Sequence, residues 1–397
     1  MKNMPEIGKS PDACCGCGAC INICPVDAIT MRDDEYGFRY PYVNADLCIT
    51  CKKCEKVCDF VKTENVGMSP LKAYAAVHKD FSVLNKSSSG GVFSALAEYV
   101  LSQNGAVCGC IFDESLNAIH VCVEEEKDII SMRKSKYLQS DIGFIYREVK
   151  GRLDNQQLVL FTGTPCQVAA VKSFLAPKKY DNLLTMDLIC HGVPSQQMFN
   201  KYLEYLEQKY RTKIIGFDFR SKRYGWQRYS TEFTDYRKKT KNLGKFNEFY
   251  MPAFTGGNIV RPSCFSCKYA CKERVGDITA GDFWGQEKSH LSLDAKKGLS
   301  LCIINTQKAI DLLPELKKRL HLEEVDYNVA ATGNYCLNAP TSKGKKWEEY
   351  MKAFENDQIE QIAQRYKKSH RKAILRSQLR QYVPIGVFHL IRKLKYR

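Results

Sequence analysis

The stretch that decides the fold is residues 14–25, CCGCGACINICP, in which Cys14, Cys17, Cys20 and Cys24 follow the spacing C-x2-C-x2-C-x3-C. The same spacing recurs further along, at Cys48, Cys51, Cys54 and Cys58. Two-residue gaps let three thiolates of a run reach three corners of one iron–sulfur cube, and the fourth cysteine reaches the other run's cube. The spacing therefore predicts two 4Fe-4S clusters, one held by Cys14, Cys17, Cys20 and Cys58 and the other by Cys48, Cys51, Cys54 and Cys24.

Zinc and disulfides are the alternatives for these cysteines. A zinc site takes four ligands, usually two C-x2-C pairs separated by a long gap, which is not the pattern seen here. A disulfide scaffold is typical of short secreted proteins, whereas this chain has 397 residues, 19 of them cysteine. Residues 1–10 lack the apolar core of a signal peptide, and no apolar run reaches the roughly 18 residues of a membrane span. We therefore expect a cytoplasmic protein with reduced thiols, many of which bind metal.

Positive charge is concentrated near the C-terminus. The formal net charge is +16, and no acidic residue follows Glu360. This tail contains no recognisable nucleic-acid-binding motif, so a nucleic-acid partner is not predicted. In it, Val387, Leu390, Ile391 and Leu394 lie at helical spacing among Arg392, Lys393 and Lys395. The pattern indicates an amphipathic helix on the inner membrane face or on an acidic partner, or else a terminal helix packed on its own domain.

The order of strand-like and helical segments indicates three regions. Between the cysteine runs, residues 28–31 and 38–43 are strand-like, as expected of a two-cluster ferredoxin. Residues 63–70 are polar and end in proline, which is typical of a linker. From residue 73, strand-like runs alternate with longer helical runs, the pattern of an α/β domain. The predicted fold class is a ferredoxin-like α+β domain at 1–65, a larger α/β domain at 70–345 and a basic helical tail at 346–397.

A third cluster is predicted in the α/β domain. Cys166 follows the apolar strand 158–161, and Cys190 ends the strand 183–189, so both thiols should emerge at the carboxyl edge of the sheet. The segment RPSCFSCKYAC then supplies Cys264, Cys267 and Cys271. One C-x2-C pair with two strand-end cysteines would complete a third 4Fe-4S site. Alternatively, Cys166 and Cys190 are small core residues, or Cys166 is a redox or catalytic thiol.

Seven segments occur in one order that resembles the family of coenzyme F-420 hydrogenase/dehydrogenase beta subunits over roughly residues 70–300. They are SSSGGVFSAL from Ser87, SKYLQS from Ser135, FTGTPCQVAAVK from Phe161, DLICHGVPS from Asp187, FRSKRYGW from Phe219, RPSCFSCKY from Arg261 and DITAGDFWG from Asp277. The resemblance implies an oxidoreductase that contains FAD and iron–sulfur clusters. It also implies that the third cluster is held by Cys166, Cys190, Cys264 and Cys267. Cys271 matches no ligand position of the family and is either an unused thiol or a replacement for one of the four.

A flavin site is expected at the loop formed by Ser87, Ser88, Ser89, Gly90 and Gly91. Glycines let the backbone approach a ligand, and the N-terminus of the following helix presents N–H groups to a phosphate, although most Ser/Gly segments are simply loops. No GxGxxG fingerprint with a downstream acid supports a nicotinamide-binding Rossmann domain. The resemblance adds a second flavin-contacting group, which consists of Lys134, Lys136, Tyr137, Gln139 and Ser140. Thr164 is a further candidate for cofactor binding.

Candidates for substrate binding and catalysis are less specific. Arg220, Lys222, Arg223 and Trp226 offer cations and an indole for an anionic planar substrate, or they form the charged rim of a surface hairpin. His191, next to Cys190, would relay protons or tune a cluster, or it is an ordinary loop histidine. The catalytic candidates are His191, Arg220 and Lys222. Asp282 and Trp284 shape or pack the flavin pocket, and Cys15, Cys108, Cys110, Cys122, Cys302 and Cys336 are expected to be core residues.

These features together predict a flavin-dependent iron–sulfur oxidoreductase. Ferredoxin or another low-potential donor would reduce the ferredoxin-type clusters, and electrons would pass through the third cluster to FAD. The flavin would then reduce a small organic substrate by two electrons. Two alternatives stay open: a non-catalytic electron-transfer subunit of a larger complex, and a true deazaflavin-coenzyme oxidoreductase.

Overall fold

The computed structural model describes residues 4–8, 10–58, 67–244, 246–289, 291–381, 383 and 387. Residues 10–58 form an N-terminal module, and residues 67–369 form the body of the chain. The first half of the predicted linker at 63–70, residues 63–66, falls outside the described residues. At its end, Met68 forms a β-bridge with Arg274 of the body.

The N-terminal module has the compact strand–helix plan predicted for a two-cluster ferredoxin. It consists of α1 (Ala19–Ile23), β1 (Ile29–Asp33), β2 (Arg39–Val43) and α2 (Lys53–Val57). β1 and β2 pair antiparallel, which confirms the two strand-like segments. Each helix holds the third cysteine of a run, and the fourth cysteine, Cys24 or Cys58, ends that helix. The local spacing thus fixes where each thiol leaves the backbone.

The body contains eleven further strands among the described residues. They are β3 (Lys72–His78), β4 (Ala106–Phe112), β5 (Ala118–Val123), β6 (Val159–Gly163), β7 (Leu183–Leu188), β8 (Ile214–Ser221), β9 (Ser230–Asp235), β10 (Thr240–Gly244), β11 (Ile278–Asp282), β12 (Ser300–Ile304) and β13 (Leu320–Glu324). Eight of them form one sheet in the order β13-β3-β12-β11-β7-β6-β4-β5, and β8, β9 and β10 form a small antiparallel sheet. The predicted α/β body is therefore confirmed.

Thirteen further α-helices are described after the module. They are α3 (Phe81–Lys86), α4 (Val92–Ser102), α5 (Ile129–Met132), α6 (Ile145–Asp154), α7 (Pro165–Leu175), α8 (Gln196–Tyr210), α9 (Tyr250–Thr255), α10 (Gln307–Asp311), α11 (Leu313–Arg319), α12 (Tyr327–Ala331), α13 (Trp347–Glu355), α14 (Ile359–Ser369) and α15 (Arg371–Gln381). Leu160 of β6 packs with α4 and α11 on one face, and its neighbour Phe161 packs with α6 and α7 on the other. Burial on both faces explains why the central strands are continuously apolar in sequence.

The centre of the sheet is parallel, which decides where the cysteines lie. β4, β6, β7 and β11 run parallel to one another. The outer strands β5, β12, β3 and β13 each pair antiparallel with their neighbours in the sheet. Gly163, at the end of β6, pairs with Asp187, near the end of β7. Cys166 and Cys190 therefore emerge at one edge of the sheet, as the order of the segments predicted.

The N-terminal module packs directly on the body. Ala19 and Val57 of the module belong to the same apolar core as Tyr146 of α6 and Val168 of α7. Arg147 of α6 donates hydrogen bonds to the main-chain oxygens of three module residues, Ile21, Asn22 and Cys24. The module is thus part of one packed unit, a point that the sequence did not reveal.

The first part of the predicted tail at 346–397 packs on the body. In α13 and α14, Phe354, Ile362 and Tyr366 are buried in the same core as Phe249, so packed structure extends well past residue 345. In α15, Leu375 and Leu379 are exposed. The amphipathic stripe beyond Val387 lies outside the described residues. Among the residues that were described, no helix is both long and apolar enough to cross a membrane.

One cysteine prediction was wrong. Cys108 and Cys122 form a disulfide, although they were expected to be core residues of a chain whose thiols are reduced. They lie directly opposite each other on the antiparallel strands β4 and β5, with a Cα–Cα distance of 4.0 Å. Such a short distance is typical of a non-hydrogen-bonded pair of facing residues in an antiparallel sheet. Only the strand register shows that these two cysteines face each other.

Candidate functional site

The eight cysteines of the N-terminal module are arranged as two separate sets. Cys14, Cys17, Cys20 and Cys58, the first cysteine set, line one small cavity. Cys24, Cys48, Cys51 and Cys54, the second cysteine set, line another. Burial, followed by the charges of Cys17, Cys14 and Cys58, raises the pKa of Cys20 well above its ordinary value. The grouping is the crossed arrangement predicted from the spacing, and four converging thiols suit a 4Fe-4S cluster.

The two sets differ in their surroundings. The cavity of the first set is also lined by Cys166 and Tyr269 of the body. The second set faces away from the body, because its cavity is lined by module residues such as Val26 and Ile49, which are exposed. Cys51 is itself exposed. An electron carrier in solution can therefore approach the second set more closely than the first.

A third cysteine set, Cys166, Cys190, Cys264 and Cys267, gathers at the carboxyl edge of the large sheet. Cys166 lies in the first turn of α7, and Cys264 and Cys267 lie in and just after the 3-10 turn Pro262–Ser266. Burial first, and then the charges of Cys264, Cys166 and Cys267, raise the pKa of Cys190 well above its ordinary value. The four residues implied by the family resemblance are thus close neighbours.

Gly192 allows the third set to assemble. Its φ is +92°, in the region that favours glycine. A Cβ at this position would lie 2.4 Å from Val260 Cγ1 and 3.0 Å from Cys264 Cβ. The remaining cysteine of the segment, Cys271, points elsewhere, because its Sγ donates to the carbonyl oxygens of Lys268 and Glu273, each at 3.2 Å.

Cys15 joins the first and third sets, a role that its position in the sequence does not suggest. The residue is buried and lines the cavity of the first set together with Cys17 and Cys166. Interaction with the Cys15 thiol lowers the pKa of Cys166 to about 7, against the effect of burial. Only the packing of the module on the body brings these three thiols together.

A main cavity of about 640 Å³ adjoins the third set. Cys190 and Thr164 are on its wall, together with residues of the serine loop (87–91) and of the segment 132–138. Thr164 is the N-cap of α7 and forms a capping box with Gln167. Its Oγ1 lies 3.1 Å from Cys166 Sγ. The cavity and the third cysteine set therefore share a wall.

The serine loop reaches the cavity through some of its residues only. Gly91, with φ of +91°, is the N-cap of α4 and has no side-chain cap, so N–H groups at the start of this helix are available to an anion. The Ser88 hydroxyl accepts a hydrogen bond from Ser135 N at 2.8 Å. Gly90 is not on the cavity wall: a Cβ there would lie 2.0 Å from Ala76 O. This glycine is needed for packing on the sheet, rather than for approach of a ligand as predicted.

Several buried polar atoms on the cavity wall have no hydrogen-bond partner within the described structure. They are Ser94 Oγ, Arg133 Nε, Arg220 Nε, Gln227 Oε1 and Asn334 Nδ2. Buried polar atoms are normally paired, so their concentration here suits a large ligand with many polar groups. FAD has that character, and the uncapped start of α4 suits its pyrophosphate.

The second predicted flavin group is divided between two places. Lys136, Tyr137 and Ser140 line the cavity, and Lys136 Nζ donates to Ser131 O at 3.0 Å. Gln139 does not line it. Its side-chain N–H groups donate to the carbonyl oxygens of Cys15 and Gly16, at 2.8 and 3.2 Å. Neighbouring side chains point in different directions in this extended segment, which explains why Gln139 contacts the module instead.

The predicted substrate residues do not form one cationic patch. Arg220 is buried and makes a two-point ion pair with Asp282, at 2.6 and 3.1 Å. Trp226 is fully buried, stacks on Trp284 and donates to the same carboxylate at 2.6 Å. Its indole is therefore unavailable to a substrate. Arg220 and Asp282 instead form a charge-balanced wall of the cavity.

The other two cations of that group face away from the cavity. Lys222 Nζ donates to Leu84 O at 2.9 Å and to Ser89 O at 2.7 Å, so it supports the serine loop from behind. Burial lowers the pKa of Lys222 to about 7, while Asp282 acts in the opposite direction. Arg223 pairs with Glu232 at 2.6 Å. Of the three catalytic candidates, Arg220 and His191 line the cavity.

Two histidines lie on the cavity wall, and only one was predicted. His191 Nδ1 is 3.4 Å from Tyr335 Oη and 3.5 Å from Cys336 Sγ, and burial lowers its pKa. His120 was missed because nothing in its local sequence marks it. Its Nδ1 is 2.9 Å from Ser140 Oγ, which in turn accepts from Gln167 Nε2 at 3.0 Å. Burial lowers the pKa of His120 to about 4, so this imidazole is neutral near pH 7.

Comparison with protein families accounts for most of the chain. Residues 73–143 match the N-terminal part, and residues 156–329 the C-terminal part, of the coenzyme F420 hydrogenase/dehydrogenase beta subunit. Residues 13–60 match the 4Fe-4S dicluster domain. The two parts of the beta-subunit match lie in the expected order and together cover more than half of the chain.

Individual relatives are distant. One subunit of the F(420)H(2) dehydrogenase of Methanosarcina mazei is 26% identical over 190 residues, which are 45% of this chain and 53% of that protein. Coenzyme F420-dependent sulfite reductase of Methanocaldococcus jannaschii is 24% identical over 330 residues, 79% of this chain and 48% of that protein. The chain thus spans about half the length of these curated relatives. A chain in a solved structure of the F420-reducing [NiFe] hydrogenase complex from Methanosarcina barkeri is 16% identical, with a TM-score of 0.46 over 76% of this chain and 94% of that one.

Proposed function

Because the chain belongs to the family of coenzyme F420 hydrogenase/dehydrogenase beta subunits and carries a 4Fe-4S dicluster module, we propose that it is an iron–sulfur flavoprotein oxidoreductase. In this proposal, ferredoxin or another low-potential donor supplies electrons, and a small organic molecule receives them. When bound, 4Fe-4S clusters carry one electron each, and FAD collects two electrons and transfers them as a pair. The protein supplies the positions and the electrostatic environment of these groups.

The spatial order of the three cysteine sets is the observation that supports the proposal. The second set faces solvent, the first set shares its cavity with Cys166 of the third set, and the third set borders the main cavity through Cys190. This is a continuous series from an exposed surface to a ligand-sized cavity. A protein that only stored electrons would not need such a cavity at the end of the series.

We propose that FAD occupies the main cavity with its pyrophosphate at the start of α4. The uncapped N–H groups after Gly91 and the hydroxyls of Ser88 and Ser94 would bind phosphate and ribose oxygens. The paired charges of Arg220 and Asp282 would keep one wall rigid and neutral. His191, close to Cys190 at the same edge, is the group best placed to hold a proton near the bound flavin.

The proposal is tested by anaerobic reduction of the purified protein reconstituted with iron, sulfide and FAD. Reduced ferredoxin should bleach the visible absorbance of the bound flavin. In Cys166→Ser, FAD should stay bound, and its reduction by ferredoxin should slow at least about tenfold, because the third set is interrupted. Failure of the wild-type protein to retain FAD, or equal rates in both proteins, would contradict the proposal.

A deazaflavin coenzyme is a second candidate for the organic acceptor. The matched family and two relatives carry coenzyme F420 in their names. The reduced protein should be offered coenzyme F420 and a panel of other acceptors, with loss of the reduced-flavin spectrum as the readout. Reoxidation by F420 alone would identify the acceptor, whereas reoxidation by another acceptor alone would assign the protein a different substrate.

A further inference from the structure

Arg261 occupies an unusual position between the N-terminal module and the body. The residue is completely buried. Its Nε donates to Cys14 O at 2.9 Å, its Nη2 to Arg39 O at 3.0 Å and its Nη1 to Gln139 Oε1 at 3.0 Å. All three of these acceptors are neutral. A buried charge is costly unless opposite charge compensates it. The carboxylate of Asp34 is near enough to interact with this guanidinium, and clusters bound by the adjoining cysteine sets would add further negative charge.

The cysteine sets provide that negative charge. A 4Fe-4S cluster held by four thiolates would carry net negative charge. Arg261 Nε contacts the main chain of Cys14 in the first set, and the cavity of that set is also lined by Cys166 of the third. Arg261 therefore acts on members of both the first and the third set. It is one cation shared by two predicted clusters.

Local structure holds the guanidinium in this place. It lies over the ring of Tyr40, 4.3 Å from the ring centroid. Gly16, with φ of +64°, leaves room for it, because a Cβ there would lie 3.0 Å from Arg261 Nη1. This glycine, which directly precedes Cys17, thus allows the side chain to reach the module.

The two sets are near enough to share one charge. Cys15, Cys17 of the first set and Cys166 of the third line one cavity. The main chain of Arg261 belongs to the third set's turn, since Cys264 N donates to Arg261 O at 3.0 Å. Its side chain extends from that turn to the carbonyl oxygen of Cys14. Arg261 therefore spans the boundary between the sets.

We propose that Arg261 is a positioning residue that raises the reduction potentials of the first and third clusters together, an inference that rests on the three-cluster function proposed above. A reduced cluster carries one more negative charge than an oxidised one, so a nearby buried cation stabilises the reduced form. In the loaded protein one electron would pass between these two clusters, with no bond formed or broken. Because one charge acts on both clusters, it raises both reduction potentials and keeps the difference between them small.

The test compares reconstituted wild-type protein with Arg261→Gln, Arg261→Lys and the control Arg147→Gln. Arg147 also ties the module to the body, through Ile21 O and Asn22 O. Midpoint potentials are measured by EPR-monitored redox titration, and signals are assigned with cysteine-to-serine variants of each set. Arg261→Gln should shift two of the three midpoints to lower potential and leave that of the second cluster in place. Arg147→Gln should leave the first and third unchanged.

Arg261→Lys keeps the inference testable if Arg261→Gln does not fold or load iron. The shorter lysine keeps its charge near the Cys264 turn but withdraws it from the Cys14 carbonyl. It should therefore lower the first cluster's midpoint more than the third's. Unchanged midpoints in an iron-replete Arg261 variant would overturn the inference. A wild-type protein without a third cluster signal would instead contradict the proposed function, and the two failures are thus distinguishable.

Discussion

Replacement of Cys166 gives the sharpest test of the third cysteine set, because two neighbouring cysteines serve as matched controls. Cys15 lines the same cavity as Cys166 but belongs to none of the three sets. Cys271 follows the C-x2-C pair, and its thiol instead donates to Lys268 O and Glu273 O. The three serine variants remove one sulfur each at similar cost in volume, so a difference between them reports on metal binding.

The expected magnitude follows from the three sets of four thiols. Wild-type protein should bind about 12 iron atoms per chain, and Cys166→Ser should bind about 8, because one whole cube is lost when a ligand is removed. Cys15→Ser and Cys271→Ser should each keep about 12. Cys166 lies in the first turn of α7, where the Thr164–Gln167 capping box is preserved. A buried hydroxyl in place of the thiol should cost no more than roughly 1–3 kcal/mol of folding free energy.

The assay is colorimetric iron determination after anaerobic reconstitution, with EPR of the dithionite-reduced protein and thermal unfolding to verify the fold. A wild-type value near about 8 irons would refute a cluster at the third set, since that number corresponds to the two module clusters alone. Equal losses in Cys166→Ser and Cys271→Ser would show that Cys271 is a ligand. Loss of iron in Cys15→Ser would show that this thiol is more than a neighbour.

Four further predictions concern the cavity, the fold and the tail. Gly90→Val should lower the melting temperature sharply or prevent folding, because its first side-chain carbon would lie 2.0 Å from Ala76 O. Ser94→Ala should retain iron and fold but weaken FAD binding by up to about tenfold, measured by flavin fluorescence, as one hydrogen bond of about 1 kcal/mol is lost. Burial lowers the pKa of His120 to about 4, whereas the unfolded chain should keep the ordinary value of about 6.5. The fold should therefore lose stability as pH falls from about 6.5 to about 4, by on the order of 3 kcal/mol, because only the unfolded state takes up this proton. His120→Asn should flatten the pH dependence of thermal unfolding. Truncation after Gln381 should abolish salt-sensitive cosedimentation with anionic lipid vesicles, because it removes the predicted basic amphipathic stripe.

Each of these four predictions has its own control or its own contradicting outcome. The control for Gly90→Val is Gly151→Ala, where a Cβ would contact nothing within 4 Å. Gly151→Ala should leave stability unchanged or slightly raised. Normal folding of Gly90→Val would contradict the packing argument. Undiminished FAD affinity in Ser94→Ala would place the flavin elsewhere. An unchanged pH profile in His120→Asn would assign the acid sensitivity to other groups. Truncation at Glu360 is unsuitable, because Ile362 and Tyr366 are buried, and equal vesicle binding with and without the tail would exclude a membrane role for it.

The sequence by itself determined the features that depend on short-range spacing. The two C-x2-C-x2-C-x3-C runs fixed the local turns of the module, because three thiols separated by two residues leave the backbone on one side. The alternation of strand and helix predicted the α/β body, and the parallel order of β6 and β7 made Cys166 and Cys190 neighbours. Each of these inferences needs only the geometry of one element or of one strand–helix–strand unit.

Only the tertiary structure decided which distant residues each side chain contacts. Gln139 contacts the module rather than the cavity, Gly90 packs on the sheet, and the indole of Trp226 is buried. Arg261 reaches Cys14, its partner on a distant part of the chain. Periodicity predicts which face of an element is buried but not which element covers that face. Such contacts are fixed only when the module packs on the body, and so the link between the first and third cysteine sets could not be inferred from the sequence.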